Sequence, residues 1–168
     1  MFIEDRNYDY FMELTKKFLS PYLEFYAYCL LPNHFHFLVR VKPENHCDAL
    51  DKKISNQFRS FFIAYTNAVN KAYGLHGGLF ATPFRRIQLD SDEYLSSVIC
   101  YIHGNPVHHG ITTTPDAYKY SSYLSIINGR DIIVNNNGVL TWFGNVDEYM
   151  KAHCTKISDL QNLPFYLE

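Results

Sequence analysis

The segment 31–41 constrains the fold most, because its residues alternate in character as those of a β-strand do. It reads Leu-Pro-Asn-His-Phe-His-Phe-Leu-Val-Arg-Val. Successive strand side chains point to opposite faces, so one face carries two histidines and the other an apolar row suited to a core. The first face consists of His34, His36, Leu38 and Arg40, and the second of Phe35, Phe37, Val39 and Val41.

Two imidazoles side by side can share one metal ion or one phosphate. Imidazole is the commonest metal-ligating side chain, and its neutral form is available near pH 7. The alternative is that His34 and His36 are polar residues on a solvated strand face, where histidine is common. A third ligand and a nucleophile elsewhere in the chain would favour the metal site.

The composition limits the class of protein. A chain of 168 residues predicts one domain over 1–168, and 47% hydrophobic and 17% aromatic residues exclude a disordered chain. The four scattered cysteines form no Cys-x-x-Cys pair, which disfavours a zinc knuckle. A net charge of -2 is mild evidence against a large sequence-independent nucleic-acid surface. Without a bilayer-spanning apolar run or a signal segment, we expect a cytoplasmic protein without membrane partners.

The first half of the chain predicts two helices and three strands. These are a helix over 5–18 capped by Asp5, strands over 22–30 and 34–41 joined by a turn at Pro32-Asn33, a helix over 45–73 and a strand over 84–89. The long helix depends on a core-facing stripe at three- and four-residue steps, namely Leu50, Ile54, Phe58, Phe61, Tyr65 and Val69.

The second half predicts mainly helices. Asp90-Ser-Asp-Glu93 is typical of a capping box, and Gly104 with Asn105 before Pro106 predicts that this helix ends near His103. Tyr101 and Asn105 are neighbours on one helix face if the last turn persists through the proline. A short strand over 118–123, a turn over 135–138 and a final helix over 139–152 complete the chain.

Three groups of residues together fit phosphodiester transesterification. A divalent metal held by His34, His36 and the side-chain oxygen of Asn105 would polarise a phosphate. Tyr101 would attack it and form a covalent phosphotyrosine. Arg85 or Arg86 would neutralise phosphate charge in the transition state.

Each candidate also has an ordinary structural interpretation. Tyr101 is one of 14 tyrosines and lies beside an apolar helix face, which is a common position for a core-edge residue. Asn105 before a proline is often a helix terminator, and the two arginines fit an exposed strand face. Spacing alone leaves rival nucleophiles, namely Tyr65, Tyr73 and Tyr94.

At these residues the sequence resembles a known family. Segment 31–39 is similar to the histidine-hydrophobe-histidine (HUH) strand of small single-tyrosine transposases of bacterial insertion sequences, and more so of the REP-associated tyrosine transposases. The other similar segments are 58–65, Asn70-Lys71, 78–80, 84–85, 92–95, Tyr101-Ile-His-Gly-Asn-Pro-Val107 and 118–123. The match covers most of the chain and is weakest after residue 125. The resemblance is specific because the histidine motif in 31–39 occurs together with the tyrosine motif in 101–107.

The resemblance implies an α+β fold, with helices packed on an antiparallel, ferredoxin-like sheet. It implies Mg²⁺ or Mn²⁺ at His34 and His36, completed by Asn105, and Tyr101 as the nucleophile. Attack on single-stranded DNA would leave a 5′-phosphotyrosine and a free 3′-OH. Arg85, Arg86 and Lys71 are then expected to bind DNA, with subterminal hairpins as recognition elements. Insertion-sequence members act as homodimers, whereas REP-associated members can be monomeric.

Three departures from the family leave other interpretations open. Family members usually begin with an extra strand before the segment that matches 2–6, so we expect that strand to be missing. The net charge is less basic than expected, and Gly104 and Pro106 flank the proposed third ligand. One alternative is a hairpin-DNA-binding module without catalysis. Another is an unrelated metal hydrolase using His34 and His36, although no carboxylate lies in the same strand.

Overall fold

The computed structural model describes residues 1–43, 50–80, 84–89, 94–130 and 133–160. The described chain is α+β, as predicted, with one antiparallel pair of strands and several helices. The elements are α1 (Asp5–Phe18), β1 (Leu23–Leu30), β2 (Phe35–Val41), α2 (Leu50–Tyr73), α3 (Leu95–His108), a 3₁₀ turn (Pro115–Ala117), α4 (Tyr123–Asn128), α5 (Asn136–Phe143) and α6 (Val146–Leu160). No helix within the described ranges is long and apolar enough to cross a membrane.

The chain divides into two compact units. Unit 1 comprises 1–24, 31–34 and 39–88, and unit 2 comprises 25–30, 35–38 and 89–168. Both units take residues from the β1–β2 hairpin. The prediction of a single domain over 1–168 stays a prediction.

Helix α1 has the predicted bounds, but its N-cap is Glu4 and not Asp5. Glu4 has an extended backbone (φ −149°), and its N–H donates to Oδ1 of Asn7, 3.0 Å away. The cap therefore lies one residue earlier than predicted, because Asn7 can satisfy the Glu4 N–H as in a capping box. Asp5 instead lies in the first turn, where a negative charge complements the helix dipole.

The core of unit 1 is an aromatic cluster between α1 and α2. The Phe11 ring lies 4.8 Å from the Phe61 ring and 5.0 Å from the Tyr65 ring, both in edge-to-face contact. Phe61, Tyr65 and Val69 are buried, as the predicted stripe on α2 requires. The predicted start of this helix at residue 45 lies outside the described residues.

Strand β2 begins at Phe35, so His34 directly precedes it. The apolar row predicted to face a core is only half-buried, and the buried residue of the strand is Leu38, from the opposite face. The prediction of a core face was therefore wrong in detail. A sheet of two described strands has narrow faces, so neighbouring elements cover part of each face and clean alternation is lost.

Two predicted strands are absent from the described structure. Residues 84–89 have no regular secondary structure, and Arg85 and Arg86 on them are exposed. Ser121 forms an isolated antiparallel bridge with Cys29, and Tyr123 already begins α4. The aromatic residues of 118–123 suggested a strand, but Tyr118 is instead buried and its hydroxyl donates to the carbonyl of Leu30 (2.6 Å). The predicted capping box over 90–93 lies outside the described residues.

The predicted final helix is two helices. The Asn135 side chain accepts a hydrogen bond from the Gly138 N–H (2.8 Å), so the predicted turn is the capped first turn of α5. Helix α5 ends at Phe143 and is capped by Gly144, whose φ of 92° is accessible mainly to glycine. The Asn145 side chain then accepts from the Glu148 N–H (2.9 Å) and starts α6.

The core of unit 2 contains two buried histidines, His103 of α3 and His153 of α6. Nδ1 of His103 lies 3.0 Å from Nε2 of His153. Burial lowers the pKa of His153 to about 4, and lowers the pKa of His103 as well. Charging either imidazole would place an unsolvated cation among aromatic rings, so both are neutral in the folded protein.

Unit 2 should therefore lose stability as the pH falls from about 6.5 to about 4. An unfolded histidine binds a proton near pH 6.5, whereas folded His153 does so only near pH 4. Stability is thus fully present above pH 6.5, and on the order of 3 kcal/mol is lost below pH 4. The groups facing His153 are His103 on α3, Tyr123 on α4, Phe143 on α5, and Tyr149 and Lys156 on α6.

Urea unfolding at several pH values measures this loss. His153→Gln should be less stable at pH 7 but should show a shallower dependence on pH. His108→Gln, at an exposed position of α3, should keep the wild-type slope. An unchanged slope in His153→Gln would contradict the assignment.

Candidate metal and tyrosine site

The two motif histidines occupy different local positions. In unit 1, Nδ1 of His34 lies 2.8 Å from Oδ1 of Asn33. The amide oxygen of Asn33 only accepts, so neutral His34 carries its proton on Nδ1. Its Nε2 atom then has a free lone pair that can bind a metal. The Nε2 atoms of His34 and of His36 are both buried. This burial fits a ligand role better than the solvated face that was the alternative.

In unit 2 the structure brings His36 and Tyr101 together. Their ring centroids lie 5.9 Å apart, with the ring planes at 77°. Tyr101 is half-buried on α3, and His36 is half-buried on β2. A phenol with partial access to solvent beside an imidazole can meet a substrate, which a fully buried core tyrosine cannot do.

Helix α3 continues through Pro106 to His108, so the predicted end near His103 was wrong. Proline removes one backbone donor and disfavours helical geometry in the residue before it. The backbone hydrogen bonds that follow Pro106 are nevertheless formed. The N–H of His109 donates to the Asn105 carbonyl (2.9 Å), and the N–H of Ile111 donates to the Pro106 carbonyl (2.8 Å). Gly104, Asn105 and Pro106 are all buried, so tertiary packing stabilises the turn.

Because the turn persists, Asn105 and Tyr101 are neighbours. Nδ2 of Asn105 donates to the backbone carbonyl of Tyr101 at 2.8 Å. Asn105 is only 1% exposed, and its Oδ1 makes no hydrogen bond within the described chain. A buried acceptor without a hydrogen bond costs on the order of 1–3 kcal/mol, so such atoms often serve a ligand or ion.

The candidate donors are two imidazole nitrogens and one amide oxygen. An amide oxygen is typical of Mg²⁺ and Mn²⁺ sites, whereas imidazole is more typical of Zn²⁺, Cu²⁺, Fe and Ni sites, so these donor types fit a divalent cation without selecting one. Among the described residues, no three or more His, Cys, Asp or Glu side chains are grouped so as to hold a metal. The Oδ1 of Asn105, in the same unit as His36, is a candidate oxygen donor.

The rival tyrosines differ from Tyr101 in their surroundings. Tyr65 is fully buried, and burial raises the pKa of its phenol, so it is poorly placed to attack a substrate. The Tyr73 hydroxyl donates to Glu4 and accepts from Nδ2 of Asn7 (3.0 Å). Tyr94, at the N-cap of α3, is exposed and remains a rival.

The basic residues predicted to bind DNA all belong to unit 1, whereas Tyr101 belongs to unit 2. Arg85 and Arg86 lie on the irregular segment 84–89, and Lys71 lies in the last turn of α2. All three are exposed. Their accessibility allows phosphate contacts, and their assignment to DNA binding stays a prediction.

Comparison with known proteins supports the resemblance found in the motifs. The chain is similar to a protein of Haemophilus influenzae named "Putative REP-associated tyrosine transposase". The two sequences are 26% identical over 133 residues, which cover 72% of this chain and 75% of that protein. No family model and no solved structure matches the chain. The suspected resemblance to REP-associated tyrosine transposases is thus confirmed at this level of similarity.

Sequence reasoning missed the buried pair His103 and His153. A signal was present, since His103 follows Ile99 by four residues on the apolar face of α3. His153 likewise follows Tyr149 by four residues on α6. A polar residue at an apolar stripe position indicates a buried hydrogen-bond network.

The contact between His36 and Tyr101 predicts a measurable ring-current effect. Replacing Tyr101 with Leu removes the ring 5.9 Å from His36, so the C–H resonances of the His36 imidazole should shift in the NMR spectrum. The resonances of exposed His76, in unit 1, provide the control and should not move. Unshifted His36 resonances would contradict the placement of the phenol.

Proposed function

We propose that this protein cleaves single-stranded DNA and transfers the strand through a 5′-phosphotyrosine, as in DNA transposition or a domesticated derivative of it. The observation that carries the proposal is the Tyr101 ring beside the His36 imidazole, with the buried Oδ1 of Asn105 one helical turn away. The similarity to a protein named as a REP-associated tyrosine transposase supports the same function.

In the proposed reaction Tyr101 is the nucleophile. Its phenolic oxygen attacks a backbone phosphorus and loses its proton, the phosphorus–O3′ bond breaks, and the departing strand end takes up a proton as a free 3′-OH. One phosphodiester replaces another, so no external energy source is needed. A later attack by a 3′-OH on the phosphotyrosine rejoins a strand and releases Tyr101.

We propose that His34, His36 and Asn105 hold a divalent cation, Mg²⁺ or Mn²⁺. A bound cation would polarise the phosphate and stabilise developing negative charge. Two features fit this assignment, namely the burial of both Nε2 atoms and the unbonded Oδ1 of Asn105. Nδ2 of Asn105 is already bonded to the Tyr101 carbonyl, which fixes the amide so that its oxygen is the available end.

The proposal extends to the substrate and the fold. Exposed Arg85, Arg86 and Lys71 would contact DNA phosphates, with hairpins in single-stranded DNA as recognition elements. The ferredoxin-like sheet of the resembled family is also proposed here. Besides its pairing with β2, strand β1 makes two isolated bridges, from Cys29 to Ser121 and from Phe25 to Val134. These bridges are in keeping with a sheet of more than two strands. A homodimer with exchanged tyrosine helices is one of two assemblies the proposal allows, and a monomer is the other.

Covalent capture of DNA tests the nucleophile. In Mn²⁺, single-stranded oligonucleotides that carry a hairpin beside a randomised segment should become linked to the protein. Only a label on the 3′ side of the break should stay with the protein on a denaturing gel, because the link is to a 5′-phosphate. Tyr101→Phe should abolish the adduct, because phenylalanine has no oxygen to attack.

Tyr94→Phe is the matched control, since Tyr94 is the exposed rival on the same helix, and it should form the adduct as the wild type does. If Tyr101→Phe still becomes linked, the nucleophile is wrongly assigned. If the wild type binds hairpin DNA without ever becoming linked, the protein is a binding module.

Binding of Mn²⁺ alone tests the ligand set. The wild type should melt at a higher temperature with Mn²⁺ present. Asn105→Leu should weaken Mn²⁺ binding by about tenfold or more, since even indirect partners of metal ligands have effects of that size. Asn105→Asp keeps an oxygen at the position and should retain binding.

Asn128→Leu, an exposed change in the same unit, should bind Mn²⁺ as the wild type does. Equal affinity in Asn105→Leu and Asn128→Leu would remove Asn105 from the site.

A further inference from the structure

A chain of hydrogen bonds runs through the core of unit 2 from β1 to α6. The N–H of Tyr28 donates to Oγ of Ser122 (2.9 Å), and this oxygen lies 2.7 Å from Nε2 of His103. Nδ1 of His103 lies 3.0 Å from Nε2 of His153, and Nδ1 of His153 lies 2.7 Å from the carbonyl of Tyr149. Ser122, His103 and His153 are each at most 1% exposed.

The carbonyl at the α6 end of this chain sets the tautomers of both histidines. The Tyr149 carbonyl only accepts, so Nδ1 of neutral His153 carries the proton and its Nε2 is an acceptor. Nδ1 of His103 faces this acceptor at 3.0 Å and the Tyr149 hydroxyl at 3.1 Å, and it carries a proton because two imidazole lone pairs at 3.0 Å would repel each other. Nε2 of His103 is then an acceptor, and the Ser122 hydroxyl donates to it. Both imidazoles are neutral in this arrangement, and the Ser122 hydroxyl donates to His103 at 2.7 Å in preference to the Tyr28 carbonyl, which lies 3.4 Å away.

This chain connects the two residues that meet at the candidate site. His103 lies in α3 between Tyr101 and Asn105. Ser122 is tied to β1 by the backbone of Tyr28, since its own N–H also donates to the Tyr28 carbonyl (3.0 Å) and its hydroxyl lies 3.4 Å from the same oxygen. Strand β1 pairs with β2, which carries His36. The Ser122–His103 bond is therefore a direct link from the strand pair to the tyrosine helix.

A polar link of this kind sets position more strictly than apolar packing. Apolar side chains tolerate small rotations of a helix, whereas a buried donor and acceptor that slip apart both lose their bond at a substantial cost. A rotation of α3 that moved Tyr101 away from His36 would also stretch the 2.7 Å bond between Ser122 and His103.

We propose that His103 is a positioning residue, whose bond with Ser122 fixes α3 against β1 and so holds the Tyr101 phenol beside His36. The catalytic part of this inference rests on the proposed function. His103 itself is buried and is assigned no contact with DNA.

Two substitutions of His103 separate its two bonds. The amide of Gln reaches the place of Nε2, so His103→Gln keeps an acceptor for Ser122 and loses the donor to His153. The amide of Asn reaches the place of Nδ1, so His103→Asn keeps the donor to His153 and loses the acceptor for Ser122. Both variants remove the imidazole, so they serve as controls for each other.

We expect His103→Gln to form the DNA adduct within about threefold of the wild-type rate. His103→Asn should be slower by about tenfold or more, because misplacement by an ångström can cost on the order of a hundredfold. Both should bind the same hairpin oligonucleotide with wild-type affinity. Ser122→Ala should behave as His103→Asn does. Equal losses in the Gln and Asn variants, or no loss in either, would overturn the proposal.

NMR gives a second readout that needs no activity. The ¹⁵N shifts of wild-type His103 should show a protonated Nδ1 and an unprotonated Nε2, and the reverse pattern would overturn the proposal. The His36 ring resonances should move in His103→Asn and stay in place in His103→Gln. If this pattern holds while the wild type forms no adduct, the positioning role stands and the proposed function fails.

Discussion

The hydrogen bond from Nδ2 of Asn105 to the carbonyl of Tyr101 is the interaction on which the candidate site depends. It spans one turn of α3, and its 2.8 Å length fixes the orientation of the buried amide. Nδ2 of Asn105 is occupied by this bond within the helix. Oδ1 of Asn105 makes no hydrogen bond with any described residue. The bond exists only because α3 continues through Pro106. The persistence of one helical turn therefore decides whether Tyr101 and Asn105, the proposed nucleophile and the proposed ligand, can share a helix face.

The sequence predicted the parts of the structure that depend on local periodicity. The bounds of α1, the two strands of the hairpin and the buried stripe of Phe61, Tyr65 and Val69 all follow from spacing. Within 101–107, Asn105 before Pro106 predicts a helix end, because an asparagine before a proline usually marks one. Burial of that turn reversed the local preference, and burial depends on the tertiary fold, which a single sequence does not display.

The candidate site was predictable as a set of residues but not as an arrangement. Spacing placed Tyr101 and Asn105 one turn apart, and the motif paired His34 with His36. The approach of the Tyr101 ring to His36 depends on how α3 is held relative to β2, for which we propose a bond between His103 and Ser122. Segment 118–123 belongs to the resemblance, but its pattern did not indicate this bond. In segment 84–89 the predicted exposure of Arg85 and Arg86 agrees with the structure, but the predicted strand does not, because these residues have no regular secondary structure.

The choice between histidine and an apolar residue at position 103 shows what unit 2 gains from a buried polar network. Burial of two imidazoles lowers their pKa values and makes the unit sensitive to acid, so the network has a cost in stability. Apolar residues of similar volume would avoid that cost. They would also remove the acceptor of the 2.7 Å bond from Ser122, whose hydroxyl would keep only the 3.4 Å contact with the Tyr28 carbonyl. Under the proposal, α3 would then rotate more freely against β1. If Tyr101 attacks a phosphate, as proposed, its placement gains more from a fixed helix than from a slightly more stable one. The buried hydrogen-bond network at His103 is therefore consistent with a site in which the position of Tyr101 relative to His36 matters more than maximal stability.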